Sequence, residues 1–111
     1  MNNTITFEDF TKVDLRVGTI IEVNLFPEAR HPAYQLTIDF GELGIKKSSA
    51  QITTLYKKED LVGRQIIAVI NFPKKQIAKF MSECLVLGAV DGKDVILLNP
   101  ENKVKNGTLV S

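Results

Sequence analysis

The stretch AYQLTIDFGELGIKKSSAQI, residues 33–52, holds the pattern on which the fold turns. Its first half alternates: Tyr34, Leu36, Ile38 and Phe40 fall on one face, and Gln35, Thr37 and Asp39 on the other. A period of two with one apolar face is the mark of a half-buried β-strand. GELG, 41–44, then reads as a tight turn, since glycine admits the backbone angles a reversal needs. IKKSSAQI, 45–52, resumes the period of two, with Lys46, Ser48 and Ala50 on one face and Lys47, Ser49 and Gln51 on the other. With so little apolar content, at least one face of this strand is not ordinary core.

Upstream, LRVGTIIEV (15–23) sets Leu15, Val17, Thr19, Ile21 and Val23 against Arg16, Gly18, Ile20 and Glu22. This predicts a strand, and Gly18 within it predicts a bend or a close backbone approach of the kind small barrels need. Before it, Thr6 and Asp9 have capping-box spacing, with Phe7 and Phe10 on one face, which predicts a short helix. FPEARHPA (26–33), with two prolines, is a loop. Downstream, TLYKKEDLVG (54–63) has helical spacing and Gly63 as its stop. QIIAVINF (65–72) is apolar nearly throughout, as a strand covered on both sides would be. CLVLGAV (84–90) and VILLN (95–99) flank Asp91-Gly92-Lys93-Asp94, a hairpin signal, and the tail 100–111 has room for a last short strand. A closed five-stranded barrel with a helix between its third and fourth strands is the OB-fold, which binds oligonucleotides around its second and third strands. The expectation is one domain over 1–111: an all-β dominated OB-fold barrel with short flanking helices and extra C-terminal strands.

Size and composition agree with a single soluble domain. The apolar runs are too short to span a bilayer, so no membrane insertion is expected. MNNTITFEDF lacks a basic segment followed by an apolar block, so no secretory leader is expected. The lone cysteine, Cys84, leaves no partner for an intrachain disulfide, and cytoplasmic residence follows as the expectation. Cys84 sits in an apolar run and reads as a core thiol. His31 has no second histidine or nearby cysteine, so no metal site is expected. Ser48-Ser49 lacks a nucleophile-elbow context. With no paired carboxylates and no phosphate loop, neither catalysis nor a cofactor is expected. Arg16, within a strand, is expected to pair with a carboxylate.

Net charge is only +1, but its distribution is uneven. Between Lys46 and Lys79 eight basic residues face only Glu59 and Asp60, so that segment carries +6 and the remainder −5. Such asymmetry steers anionic partners. Its densest part is NFPKKQIAKFMSECL, 71–85, with Lys74, Lys75 and Lys79 between two apolar runs. Together with Lys46 and Lys47, these lysines are candidates for phosphate contact. Asn71 and Ser82 beside them are candidates for sugar or phosphate contact. Phe80 and Met81 are candidates for stacking on bases or cradling an apolar peptide segment; Phe72 reads as core.

DLRVGTI, FPEARHPAYQLTIDFG, KSSAQI, VINFP and SECLVLG, in this order, resemble the CsaA-like export-related chaperones. More broadly they resemble the tRNA-binding domains appended to methionyl- and phenylalanyl-tRNA synthetases and found in free-standing accessory proteins. The shared signature appears here as Asp14 to Gly18, a polar strand with Ser48 and Ser49, the loop of Asn71, Pro73, Lys74 and Lys75, and the pair Ser82-Glu83. The resemblance implies an OB-fold, a homodimer, no catalysis, and binding of tRNA and of unfolded proteins or preproteins, with protein-export machinery as a further partner. It makes Ser48, Asn71, Lys74, Lys75 and Ser82 RNA-binding candidates. The alternative it leaves open is a free-standing tRNA-binding protein or synthetase accessory factor. This chain departs from the CsaA-like pattern in having lysines rather than arginines at 74 and 75, Lys79 in place of a glycine, and Met81 in place of a lysine. Bidentate arginine contact with phosphate is thereby lost. The homodimer is also expected from the two-sided apolar content of QIIAVINF and the hairpin Leu85–Leu98.

Overall fold

One long strand organises the chain. In the computed structural model, which describes residues 3–111, β1 runs from Leu15 to Leu25. Met1 and Asn2, where the stretch read for a leader begins, lie outside the described residues. β2 (Tyr34–Asp39) pairs with β1 from Thr19 to Leu25, and β3 (Ile45–Ala50) pairs with β2 along its whole length. β4 (Gln65–Val69) pairs with the first part of β1, from Leu15 to Thr19. Four more short strands follow: β5 (Lys75–Ile77), β6 (Phe80–Ser82), β7 (Leu85–Val86) and β8 (Gly88–Asp91). β9 (Asp94–Leu97) pairs with β8, and β10 (Leu109–Val110) pairs with β1 at Leu15 and Arg16. β7 lies against β4, giving the antiparallel order β3-β2-β1-β4-β7. The residue before Cys84 then returns to β3, where the Glu83 N–H donates to the Lys47 carbonyl at 2.7 Å. The result is a nearly closed five-stranded barrel, the OB-fold.

β2 follows its sequence pattern: Tyr34, Leu36 and Ile38 are buried, and Phe40 just beyond it is fully buried. β1 does not keep one alternation. Ile20 is fully buried, whereas Ile21 is exposed and Val23 is buried again. The pairing with β2 skips a residue between Ile20 and Glu22, which is a β-bulge. One inserted residue exchanges the two faces of a strand, so Gly18 and Ile20 face inward before it and Val23 after it. The face expected to join Ile21 with Val23 is therefore split. Gly18 meets the expectation of a close approach: a Cβ there would lie 2.7 Å from Ile38 and 2.8 Å from the Phe40 ring.

The first helix, α1 (Phe7–Thr11), is capped as its spacing predicts. The Asp9 N–H donates to the Thr6 hydroxyl at 3.1 Å, and the Thr6 N–H donates to the Asp9 carboxylate at 3.2 Å. The helix expected over 54–63 contracts to α2, Lys58–Leu61. Only Leu61 is fully buried there, so one turn suffices to plug the barrel between β3 and β4. The run 84–90 is broken as well. Cys84 and Leu97 join the core, β7 stays in the barrel, and β8 leaves it at Gly88 to pair with β9. The tail is clamped: Gln65 donates to the Val104 carbonyl at 2.6 Å and to Asn106 Oδ1 at 3.1 Å, and Thr19 donates to the same oxygen at 2.7 Å.

Candidate nucleic-acid interface

The lysine-rich loop is itself a small hairpin. Lys75 pairs with Ser82, Gln76 with Met81 and Ile77 with Phe80. Its tip is Ala78-Lys79, and Ala78 takes a φ of 52°. That left-handed conformation costs a non-glycine residue about 1–2 kcal/mol. An isolated ribbon of this size is marginal in water, so its position depends on the barrel.

Polar bonds at the base supply that dependence. Asn71 accepts from the Asp14 N–H at 2.9 Å and donates to the Lys12 carbonyl at 2.7 Å. Ser82 accepts from the Ser49 N–H at 3.3 Å. Glu83 uses both carboxylate oxygens: one accepts from the Lys47 N–H at 3.0 Å, and the other lies 3.5 Å from the Lys74 ammonium. Ser48 is fully buried and donates to the Cys84 carbonyl at 2.9 Å. Its hydroxyl closes the barrel seam and presents nothing to a surface ligand, which corrects its expected role. Near the tip, Phe80 packs against Phe26 with ring centroids 5.3 Å apart.

The candidate lysines divide. Lys47, Lys74, Lys75 and Lys79 are exposed on β3 and the hairpin. Lys46 is half-buried on the Ser48 side of β3, because neighbouring residues of a strand point to opposite faces. Among the described residues, Lys74 alone of these five has a carboxylate within ion-pair distance. Lys57, Lys58 and Arg64 stand elsewhere. They flank α2 at the Ile20 level, where the Gly63 N–H donates to the Ile20 carbonyl at 2.8 Å, while the hairpin leaves from the opposite end of β4. The +6 run of the sequence is therefore two patches, and only the larger borders β3.

Across β1, β2 and β3, Asn24, Gln35 and Ser49 are aligned in register, as are Glu22, Thr37 and Lys47. This polar outer face leads to the hairpin. A groove of about 270 Å³ lies between them, with Ser49 and Gln51 from the strand side, Lys75 and Ile77 from β5, and Arg30 and His31 from the facing loop. A smaller pocket of about 150 Å³ opens beside Lys75, lined by Phe72, Pro73, Cys84 and Leu85. Phe72 is 51% exposed, so it is not core as expected; β4 ends at Val69 and Phe72 falls beyond the barrel. Met81 is also exposed.

The remaining polar candidates have structural partners. Arg16 pairs with Asp14 at 2.7 Å, as expected, and also donates to the Gly107 carbonyl at 3.1 Å. Burial pushes the Cys84 thiol up from 9.0 to about 12, against the Ser48 hydrogen bond and the nearby Lys46 charge. A thiol so held stays protonated and is a poor nucleophile. No group of three or more metal-ligating side chains occurs among the described residues.

The sequence profile of the tRNA binding domain matches residues 15–109, from the first strand of the barrel to the last strand of the chain. This chain belongs to the tRNA binding domain family. Within the family it is similar to the chaperone CsaA of Bacillus anthracis, with 55% identity, a TM-score of 0.94, and coverage of 98% of this chain and 100% of that one. The CsaA chaperone protein of Picrophilus torridus matches at 53% identity and a TM-score of 0.91, over 97% of this chain and all of that one. The methionine–tRNA ligase of Thermococcus kodakarensis is 36% identical over 106 residues, which is 96% of this chain. This family domain thus spans only 14% of the length of that ligase. No helix among the described residues is long and apolar enough to cross a membrane.

Proposed function

We propose that this chain is a non-catalytic binding module that holds structured RNA of the tRNA class against the lysine hairpin and the outer face of β2 and β3. The observation that carries this reading is the gathering of Lys47, Lys74, Lys75 and Lys79 beside the polar rows on that face. Lysine contacts with phosphate release counterions, so affinity falls steeply with salt and depends little on sequence. Lys46, Asn71 and Ser82 serve the site by shaping its base, and Asn71 keeps one amide hydrogen for a ligand. The methionine–tRNA ligase relatives support tRNA as the RNA class. The test is filter binding of unfractionated tRNA at low and moderate salt. Changing Lys74 and Lys75 together to Glu should lower affinity about tenfold or more, a change of about 1.4 kcal/mol. Equal affinity for both proteins, or no dependence on salt, would sink the reading.

A second reading is favoured by the exposed apolar groups beside these lysines. The pocket of Phe72 and Leu85 at the hairpin base, with Met81 exposed on the hairpin and Phe80 half-buried against Phe26 near its tip, suits an apolar segment of an unfolded protein or preprotein. The CsaA chaperones are the relatives that suggest such clients, and protein-export machinery with them. Apolar capture strengthens in salting-out conditions, opposite to RNA binding. Met81→Asp should weaken suppression of client aggregation; unchanged suppression would remove Met81 from the role. Both readings take the chain as a cytoplasmic homodimer, with Val90, Ile96 and Leu98 supplying exposed apolar surface for a second copy.

A further inference from the structure

Glu83 stands where a ligand's anion would have to compete with it. It follows Ser82 at the end of β6 and reaches across the seam between β3 and the hairpin base. Its two oxygens do different work. One accepts the Lys47 N–H at 3.0 Å and so belongs to the barrel's closure. The other lies 3.5 Å from the Lys74 ammonium, whose side chain is 65% exposed and otherwise open to solvent. Lys75, the next residue, has no carboxylate within ion-pair distance among the described residues. Of these adjacent lysines, Lys75 lines the groove with no carboxylate at hand, and Lys74, just before β5, has Glu83 beside it.

We propose that Glu83 is an internal counter-ion that withholds Lys74 from phosphate and so sets the affinity and salt dependence of the site. The inference rests on the RNA-binding reading above. A carboxylate and a phosphate oxygen recognise an ammonium by the same charge-assisted contact, so both cannot have full use of Lys74. The bond from the Lys47 N–H orients the carboxylate in the free protein. Holding Lys74 internally therefore requires little rearrangement, and giving it up to RNA costs the ion pair. Three unengaged exposed lysines, Lys47, Lys75 and Lys79, rather than four, then set the counterions released on binding.

Glu83→Gln separates the two roles. The amide oxygen still accepts from the Lys47 N–H, while the charge that holds Lys74 is gone. Binding of unfractionated tRNA to this variant should tighten about two- to fivefold at low salt, the range of an exposed ion pair. The salt slope should steepen by about 0.7–0.9, the equivalent of one more phosphate neutralised. In a Lys74→Met background the same substitution should change neither quantity, because the released cation is absent. Glu59→Gln, an equal charge change on α2 at the opposite end of β4 from the hairpin, should leave the slope unaltered. A gain that persists without Lys74, or a matching change of slope from Glu59→Gln, would overturn the proposal in favour of a general field effect. If the native chain binds tRNA and Glu83→Gln binds no better, the inference fails and the RNA-binding reading stands; if neither binds at low salt, both fail. Should Glu83→Gln not fold, Lys74→Met decides: it should leave the salt slope unchanged, and a slope shallower by about 0.7–0.9 overturns the proposal.

Discussion

Two hairpins leave this barrel, and they are attached by opposite means. β5–β6 contributes no buried residue, and polar bonds from Ser82 and Glu83 to β3 hold its base. β8–β9 contributes Leu97 to the core, and Tyr56 accepts from the Leu97 N–H at 3.0 Å. Beyond that anchor its far end is apolar and open, with Val90 76% exposed. A charged ribbon fixed by polar bonds keeps its lysines in water but in a set place. An apolar ribbon fixed by a core residue offers a greasy surface whose covering must come from elsewhere. The first arrangement suits a polyanion, the second another copy of the chain.

The largest effect should come from the anchor of β8–β9. Leu97→Ala should cost about 2–5 kcal/mol in urea unfolding, the usual range for a buried leucine. A loss below about 1 kcal/mol would mean that this hairpin is an appendage and would break the contrast. The base of β5–β6 can be probed through Cys84 and pH. Its thiol is raised to about 12 in the fold, so the folded chain holds that proton more tightly than the unfolded one. The contribution is whole below pH 9 and is lost as pH rises from about 9 to 12, by up to about 1.4 kcal/mol per unit. Unfolding of the native chain and of Cys84→Ala across that window should show the native chain losing stability faster; parallel curves would mean the thiol is wet.

Val90→Asp should weaken self-association about tenfold, or about 1.4 kcal/mol, by sedimentation equilibrium, while leaving the unfolding of the single chain nearly unchanged. An unaltered association constant would remove this hairpin from the interface. The smallest effect should be Ser82→Ala. Losing its bond with the Ser49 N–H should cost about 0.5–1.5 kcal/mol and leave the barrel intact. If it cost as much as Leu97→Ala, the polar and apolar attachments would not differ in kind.

The barrel itself was legible because its signals are local. The alternation of Tyr34, Leu36, Ile38 and Phe40, the glycine at 18, and the Thr6–Asp9 capping box each report on a few neighbouring residues, and each appears as read. The site was less legible. The lysines were visible as a run of charge, yet chain order places Lys57, Lys58 and Arg64 inside that run while the fold sends them to the other end of β4. Ser48 and Phe72 exchanged places between core and surface. Whether a polar residue in a strand faces water or closes a seam depends on what lies across from it, and Cys84 is far away in sequence.

The residues alone, then, determined the strand periods, the turns, the charge and the absence of a disulfide partner, all matters of covalent structure and short-range sterics. Tertiary structure alone decided which way β1 faces after Ile20, because the bulge is defined only by its pairing with β2. It alone decided that Glu83 meets Lys47 and Lys74 together, since closing a barrel brings the last strand back against the third. The physical reason is the same in both cases: a strand's faces and edges acquire their meaning from the strand beside it, and that neighbour is chosen by the closure of the whole sheet.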